Sequence, residues 1–409
     1  MNCFHLHHLF LLDMPLELNR PDYWDDNDRY TAEYQEQEDF SDVDSDSSDV
    51  TTGSMSTLNS VEVNSYFREI YGRAYPADRN IPAFVPLDNG EAARLEIQHH
   101  YWKFLVGSNY FGPVREILQA HPAHKKRVLD LFTADGTWAQ EMATEFPHVD
   151  FVSLDMIPLV PHTPRPNVSF EVYDVYNGFA EPDASFDIVH TRRTVTQFRD
   201  YHAFLREVHR VLRPGGLILF GQIEVEVYEY TAPDPSSPND PGESLFPGLH
   251  VIPAKDSLPV MTRGMELLRE SLTLQQVQVD MWRQLPELLI PGSSLWHSQP
   301  REHGMKPDDV EPYQTGTEDA CGPLGFKDIV SQIHIYPTTG WHYSHRLRAL
   351  GELIQQVGEG SWRNFGLLFR HVGRDEKEVD ALIEAGQKER ISLEIWQVMR
   401  YHTVYATRI

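Results

Sequence analysis

Carboxylates at the ends of short apolar runs set the chemistry to be expected. Asp130 lies within Val128-Leu129-Asp130-Leu131, Asp155 closes Phe151-Val152-Ser153-Leu154-Asp155, and Asp174 follows Val168 to Tyr173. Runs of this kind are what strands buried on both faces of a parallel sheet carry. After the first run comes a loop with small residues, Thr133-Ala134-Asp135-Gly136. Trp138, Met142 and Phe146 then recur at helical spacing, with Ala139 and Ala143 beside them. Strand, tight loop and helix make the first half of a nucleotide-binding unit. The helix N-terminus turns its N–H groups toward an anionic or polar ligand, and an acid roughly 20 residues beyond the loop accepts hydrogen bonds from ribose hydroxyls. A fourth run, Phe186 to His190, leads into Thr191 and Arg192 at the sheet edge where ligands bind in this architecture. His190 reads either as a general base or as a satisfied strand-end histidine.

These side chains need a frame. Tyr201 to Leu212 is amphipathic through Phe204, Leu205, Val208, Val211 and Leu212. Arg213-Pro214-Gly215-Gly216 stops that helix, and Leu217 to Phe220 supplies a fifth strand. Strands alternating with helices predict an α/β fold with a doubly wound parallel sheet. Before it, Asn89 to Val106 is expected as a helix with Leu95, Trp102 and Leu105 on its apolar face. Gln98-His99-His100 on that helix reads as packing or amphipathic edge rather than as a base. After the sheet, TAPDPSSPNDPGESLFPG is loop. Arg263 to Leu289 reads as one helical stretch with Met265, Leu268, Leu272, Val279, Trp282 and Leu285 as its apolar face, expected as a lid over the sheet edge or as ordinary core. Ser293 to Thr317 is loop again, and Trp341 to Val357 and Val379 to Val398 are helical in pattern.

The segments VLDL…DGTWAQEMA, FVSLD, FEVYDV, FDIVHTR and REVHRVLRPGG, in that order and spacing, resemble the successive motifs of class I S-adenosylmethionine-dependent methyltransferases. More narrowly they are similar to a fungal branch related to secondary-metabolism regulators. The likeness runs from near Tyr66 to near Ile223, and more loosely over the C-terminal end. It implies a seven-stranded, mostly parallel Rossmann-like sheet, with Gly325-Phe326 to Tyr336 as sixth strand and Met399 to Ile409 as an antiparallel seventh inserted into the sheet. It implies S-adenosyl-L-methionine as cofactor and a small-molecule acceptor. By the resemblance, Asp130 orients the loop or the cofactor amino group, and Thr133 and Gly136 belong to the cofactor loop. Asp155 is the ribose acceptor with Met156 beside it, Asp174 and Val175 face the adenine edge, and Arg192, at the fourth strand's end, also belongs to the cofactor-binding set. Arg73, in the Tyr71-Gly72-Arg73 turn, would hold the cofactor carboxylate through a charge-assisted fork. Each has a plainer reading: a helix N-cap for Asp155, a turn carboxylate for Asp174, a surface arginine for Arg73.

One stretch departs from the family pattern. An acid followed by glycines at alternate positions is replaced here by Asp130-Leu131-Phe132-Thr133-Ala134-Asp135-Gly136, so only the last glycine survives. Glycine permits left-handed backbone angles and close approach of a ligand. Ala134 fits if its φ is negative, and the Phe132 ring sits where the methionine part of the cofactor would pass. Two readings follow: a modified working pocket, or a methyltransferase fold kept as a regulatory or binding partner. No Asn/Asp-Pro-Pro-Tyr motif follows the fourth strand, which turns the expectation from methylated adenine or glutamine to a small molecule. A nicotinamide-dependent oxidoreductase would need G-x-G-x-x-G after the first strand, and it is missing.

The chain of 409 residues has a formal net charge of −26, much of it in the first sixty residues. That balance excludes a nucleic-acid backbone as the main partner. The serine-rich acidic segment buries too little to fold alone and reads as a disordered tail, suited to solubility or to a protein partner. Cys3 and Cys321 are the only cysteines, so a reducing, cytoplasmic or nuclear, compartment is expected. No apolar run reaches membrane-spanning length, and Met1 to Leu12 lacks a basic n-region and a cleavage site. His5, His7 and His8 read as incidental rather than metal-binding. The expected organisation is a tail at 1–60, an N-terminal helical cap at 61–124, a cofactor-binding core at 125–224, a lid insertion at 225–324 and a C-terminal part at 325–409 that completes the sheet.

Overall fold

Apolar runs become strands, and amphipathic stretches become the helices that cover them. The computed structural model describes residues 60–82, 85–158, 165–231, 251–297 and 324–409. The expectations of an acidic tail and of a Pro/Ser/Gly-rich loop fall almost wholly outside the described residues, as does most of Ser293 to Thr317. Contacts divide the chain into Met1–Asn59 and Ser60–Ile409, and all that follows concerns the second unit.

In chain order its elements begin with α1 (Ser60–Ser65), β1 (Phe67–Ile70), β2 (Arg73–Pro76), α2 (Asn89–Val106), α3 (Val114–Ile117), β3 (Arg127–Leu131), α4 (Thr137–Glu145), β4 (Asp150–Asp155), β5 (Val168–Val172) and β6 (Phe186–Arg192). They continue with α5 (Tyr201–Val211), β7 (Leu212–Ile223), β8 (Tyr228–Tyr230), β9 (Val251–Pro253), α6 (Pro259–Leu274) and α7 (Met281–Leu289). The last are β10 (Phe326–Pro337), α8 (His345–Asn364), α9 (Gly366–His371), α10 (Glu376–Arg390) and β11 (Gln397–Arg408). The main sheet runs β5-β4-β3-β6-β7-β11-β8-β9, with β10 also paired to β11. From β5 to β7 the pairings are parallel, whereas β11 is antiparallel to both β7 and β10. This is the doubly wound sheet with an inserted antiparallel last strand. The short strands β8 and β9 extend it beyond the expected seven.

Successive residues of a strand point to opposite faces, and the core divides accordingly. Leu129, Leu131, Val189, Ile218 and Phe220 face α5 and α7 through Phe204, Leu205, Val208, Met281, Leu285 and Leu289. Val128, Ile188, Leu217 and Leu219 face α3 and α4 through Val114, Trp138 and Met142. A separate helical layer joins α6 to α9 and α10 around Trp362. That ring lies where a Cβ would stand at either Gly264 or Gly386, so the two glycines let the helices close on it.

Helix boundaries differ from expectation in three places. Arg263 to Leu289 is two helices, because Gln276 takes a left-handed φ of 66° and the chain turns at that point. Only α6 joins the helical layer, whereas α7 packs under the sheet. Val379 to Val398 ends as helix at Arg390. The Gln397 side chain donates to the Glu389 and Arg390 carbonyls and so satisfies acceptors left free at the helix end. The stretch expected from Trp341 starts later, at His345, and runs on to Asn364.

Candidate functional site

The site begins where β3 and β6 end side by side, with Leu131 paired to Thr191. Beyond Leu131 the backbone enters the left-handed region at alternate residues: Phe132 at φ 57°, Ala134 at φ 56° and Gly136 at φ 74°. These are the three positions at which the family pattern carries glycine. The left-handed backbone that glycine permits is adopted here by two residues that are not glycine. The condition set for Ala134, a negative φ, is not met. The loop is held from outside: Phe132 N–H and Thr133 N–H donate to the Leu154 carbonyl, Ala134 N–H donates to Asp155 Oδ2 at 3.1 Å, and Ser153 Oγ donates to Thr133 Oγ1 at 2.6 Å. A left-handed residue with a Cβ costs roughly 1–2 kcal/mol. Glycine loses part of that gain through its freer unfolded chain. Ala134→Gly should therefore stabilise the fold by up to about 1 kcal/mol in urea unfolding; a loss of stability would mean the methyl group makes a contact that outweighs the strain.

The Phe132 ring lies edge-on to Phe198 at 5.4 Å, and Phe198 stacks on Phe204 at 4.2 Å. The ring is thus drawn toward the core beside α5. It lines a cavity of about 310 Å³ without closing it.

The acids separate into different roles. Asp155 lines the cavity, and besides Ala134 its Oδ1 accepts from Met156 N–H at 2.8 Å. Burial pushes its carboxyl up to about 6, against the backbone hydrogen bonds from Ala134, Met156 and Ile157. Asp130 is buried behind the loop. It is paired with His190 Nδ1 at 2.7 Å, and Trp138 stacks on that imidazole at 3.6 Å. Burial pushes His190 down to about 4, and the ring is outside the cavity wall, so a general-base role has no geometric support. Asp174 caps the turn Val175–Asn177, accepting from Tyr176 N–H and Asn177 Nδ2, and does not reach the cavity. Val175 belongs to the core. Gly136 stands at the α4 N-terminus, behind the wall formed by Thr133, Ala134 and Asp135.

Arg73 is committed elsewhere. Its guanidinium forks onto both oxygens of Asp88, the N-cap of α2, at 2.6 and 2.9 Å, and donates to Asn364 Oδ1 at 2.8 Å. Asn364 in turn donates to Glu91 at 2.8 Å. Glu91 is forked by Arg94 at 2.6 and 2.8 Å, and Arg94 reaches Ser361. This chain of bonds fastens α2 to α8 across the cavity. The expected cofactor-carboxylate fork is thus a structural clamp in its own right.

Thr133, Asp155, Met156 and Arg192, of the residues singled out from sequence, line one cavity. The same cavity is lined by Gln98, His99, Arg193, Gln222 and Glu224, and by Met261, Met265, Leu268 and Leu272 of α6. His99, His100 and Glu141 place potential ligand atoms within 4.8 Å of one another. Cations already occupy them, however: Lys103 donates to Glu141 at 2.6 Å and Arg192 to His99 Nδ1 at 3.2 Å. Burial would raise Glu141, but His99 and Lys103 hold it at about 2. Sequence reasoning passed over Arg193 and gave His99 a packing role. The signal was available in twin arginines directly after a buried strand.

A parallel sheet with an inserted antiparallel strand and a carboxylate at the next strand's end are the features that the methyltransferase resemblance implied. Residues 102–252 match a family model described as a methyltransferase domain. It is similar to the secondary metabolism regulator laeA of Coprinopsis cinerea, 32% identical over 40% of each chain. It is also similar to the methyltransferase str2 of Strobilurus tenacellus, 27% identical over 37% of this chain and 53% of that one. The chain thus spans about two fifths to one half of the length of such curated relatives. Among solved structures, Haemonchus contortus phosphoethanolamine N-methyltransferase 2 with S-adenosyl-L-methionine aligns over 78% of this chain and 58% of that one, at 14% identity and a TM-score of 0.37.

Proposed function

We propose that this protein binds S-adenosylmethionine between the β3 loop and Asp155 and transfers its methyl group to a small molecule held under α2, α6 and α8. The observation that carries this reading is one cavity with two unlike sets of lining residues. Asp155 and the loop residues Phe132 to Asp135 form one, and the methionine and leucine side chains of α6 form the other. The residues fit the cofactor. The loop takes left-handed angles at Phe132, Ala134 and Gly136, the α4 N-terminus lacks a side-chain cap on Gly136, and Asp155 can accept from a diol.

When bound, the cofactor supplies an already activated methyl group, so the protein's work is to exclude water and align a nucleophile. Asp155 and the loop orient the adenosyl end, the α2–α8 clamp shuts out solvent, and the α6 side chains desolvate the acceptor. Isothermal titration with S-adenosylhomocysteine, followed by transfer of labelled methyl from S-adenosylmethionine to candidate acceptors, tests the reading. No binding at millimolar cofactor would favour the non-catalytic, regulatory alternative. The reading includes a reducing, cytoplasmic or nuclear, setting, which rests on the cysteine usage alone.

A further inference from the structure

Two successive arginines reach the cavity, each bonded to a neutral acceptor rather than to a carboxylate. Arg192 and Arg193 leave β6 next to the β3 loop, and both line the cavity. Arg192 NH1 and NH2 donate to His99 Nδ1 at 3.3 and 3.2 Å, and its guanidinium lies 5.0 Å over the Trp102 ring. Since a guanidinium only donates, His99 Nδ1 is the acceptor, and Nε2–H is left to donate to Glu141 at 3.2 Å. Arg193, in the left-handed region at φ 61°, donates through NH1 to Gln98 Oε1 at 3.0 Å. Each cation is therefore aimed by a neutral acceptor on α2 rather than neutralised. The contrast is on the same wall, where Arg94 is closed by Glu91 at 2.6 Å. Among the described residues neither Arg192 nor Arg193 pairs with a carboxylate. Cations without a carboxylate partner in a partly dry cavity are tolerated when a ligand brings the opposite charge.

Beyond them the lining turns apolar through Met261, Met265, Leu268, Leu272, Val357 and Leu368. Such a wall takes a flexible hydrocarbon body, as methionine-rich surfaces do. We propose that Arg192 and Arg193 form the anion-recognition end of the acceptor site, and that the acceptor is an amphiphilic carboxylic acid whose apolar body lies against α6 and α8. This rests on the methyltransferase reading above. The cofactor has a carboxylate of its own, which the same guanidiniums would hold equally well. The acceptor is favoured because β3 separates β6 from Asp155 on β4, while β6 borders β7, whose last residues Gln222 and Ile223 also line the cavity.

The test uses the full chain saturated with S-adenosylhomocysteine, with octanoate and 1-octanol as probes in calorimetry. The expected result is octanoate binding about tenfold tighter than octanol, the size of one good charge-assisted contact. That preference should vanish in Arg192→Gln and Arg193→Gln, while both variants keep S-adenosylhomocysteine affinity within about threefold of the parent. Equal binding of acid and alcohol by the parent protein would overturn the proposal, whether or not the variants fold. A loss in the variants confined to S-adenosylhomocysteine, with 5′-methylthioadenosine bound as before, would overturn it too, by assigning the guanidiniums to the cofactor carboxylate. Failure of the parent to bind S-adenosylhomocysteine at all would overturn the methyltransferase reading and this proposal with it.

Discussion

Arg94→Met is expected to lower the free energy of unfolding by about 3–5 kcal/mol, the usual penalty for removing one partner of a buried ion pair. Glu91 is only 1% exposed and Arg94 8%. The substitution leaves a carboxylate in the interior with a single donor, Asn364 Nδ2 at 2.8 Å. Its neighbours depend on it in turn, since Asn364 also accepts from Arg73 and thereby reaches the N-cap of α2. The double variant Glu91→Gln with Arg94→Met should recover most of the loss, because no charge is then stranded. Denaturant titration of the three proteins decides the matter. A single-variant loss below about 1 kcal/mol, typical of exposed pairs, would mean that α2 and α8 are held by packing alone. Methyl transfer should fall with the clamp, since a loosened cover readmits water to the reacting groups.

Asp155→Ala should weaken S-adenosylhomocysteine binding by more than tenfold, or about 1.4 kcal/mol. Two causes combine: the diol acceptor is lost, and so is the hydrogen bond from Ala134 N–H that tethers the left-handed loop. The charge on this group gives a second readout. Burial holds the carboxyl near 6, above its ordinary 3.8. As pH rises from 3.8 toward 6 the unfolded chain gives up a proton that the folded one keeps, so this group subtracts from stability as pH increases across that window. Binding works the other way. A donor diol favours the carboxylate, so affinity should climb as pH rises through about 6 and level off above it. Asp155→Asn should flatten that profile. A profile unchanged in the asparagine variant would remove Asp155 from the cofactor site.

The strands of the core were legible because a buried strand needs an uninterrupted apolar run, and Val128 to Leu131 or Leu217 to Phe220 can hardly be read otherwise. The single turn that splits α6 from α7 was not legible, since Gln276 in a left-handed conformation carries no compositional mark. The site was legible in part. Asp155 announces itself by its place after an apolar run, whereas Asp174, equally placed, spends both oxygens on its own turn. Arg73 misled for a related reason. A turn arginine has a reach long enough for several partners, and only tertiary structure shows that Asp88 and Asn364 take it. For Phe132 the sequence shows the bulk of a ring but not its direction, and the ring stands edge-on to Phe198.

The insertion of β11 between β7 and β10 bears on how the molecule is made. Tyr401 must find Ile223, and Thr407 must find Leu217, across a long stretch of intervening chain. Until Gln397–Arg408 has left the ribosome, β7 presents a row of unpaired amides and carbonyls to anything able to add a strand. Such distant pairing is slow, and a half-built sheet with an open flank is prone to aggregation. Yield during synthesis should therefore depend on chaperones that shield that flank more than on the stability of the finished fold.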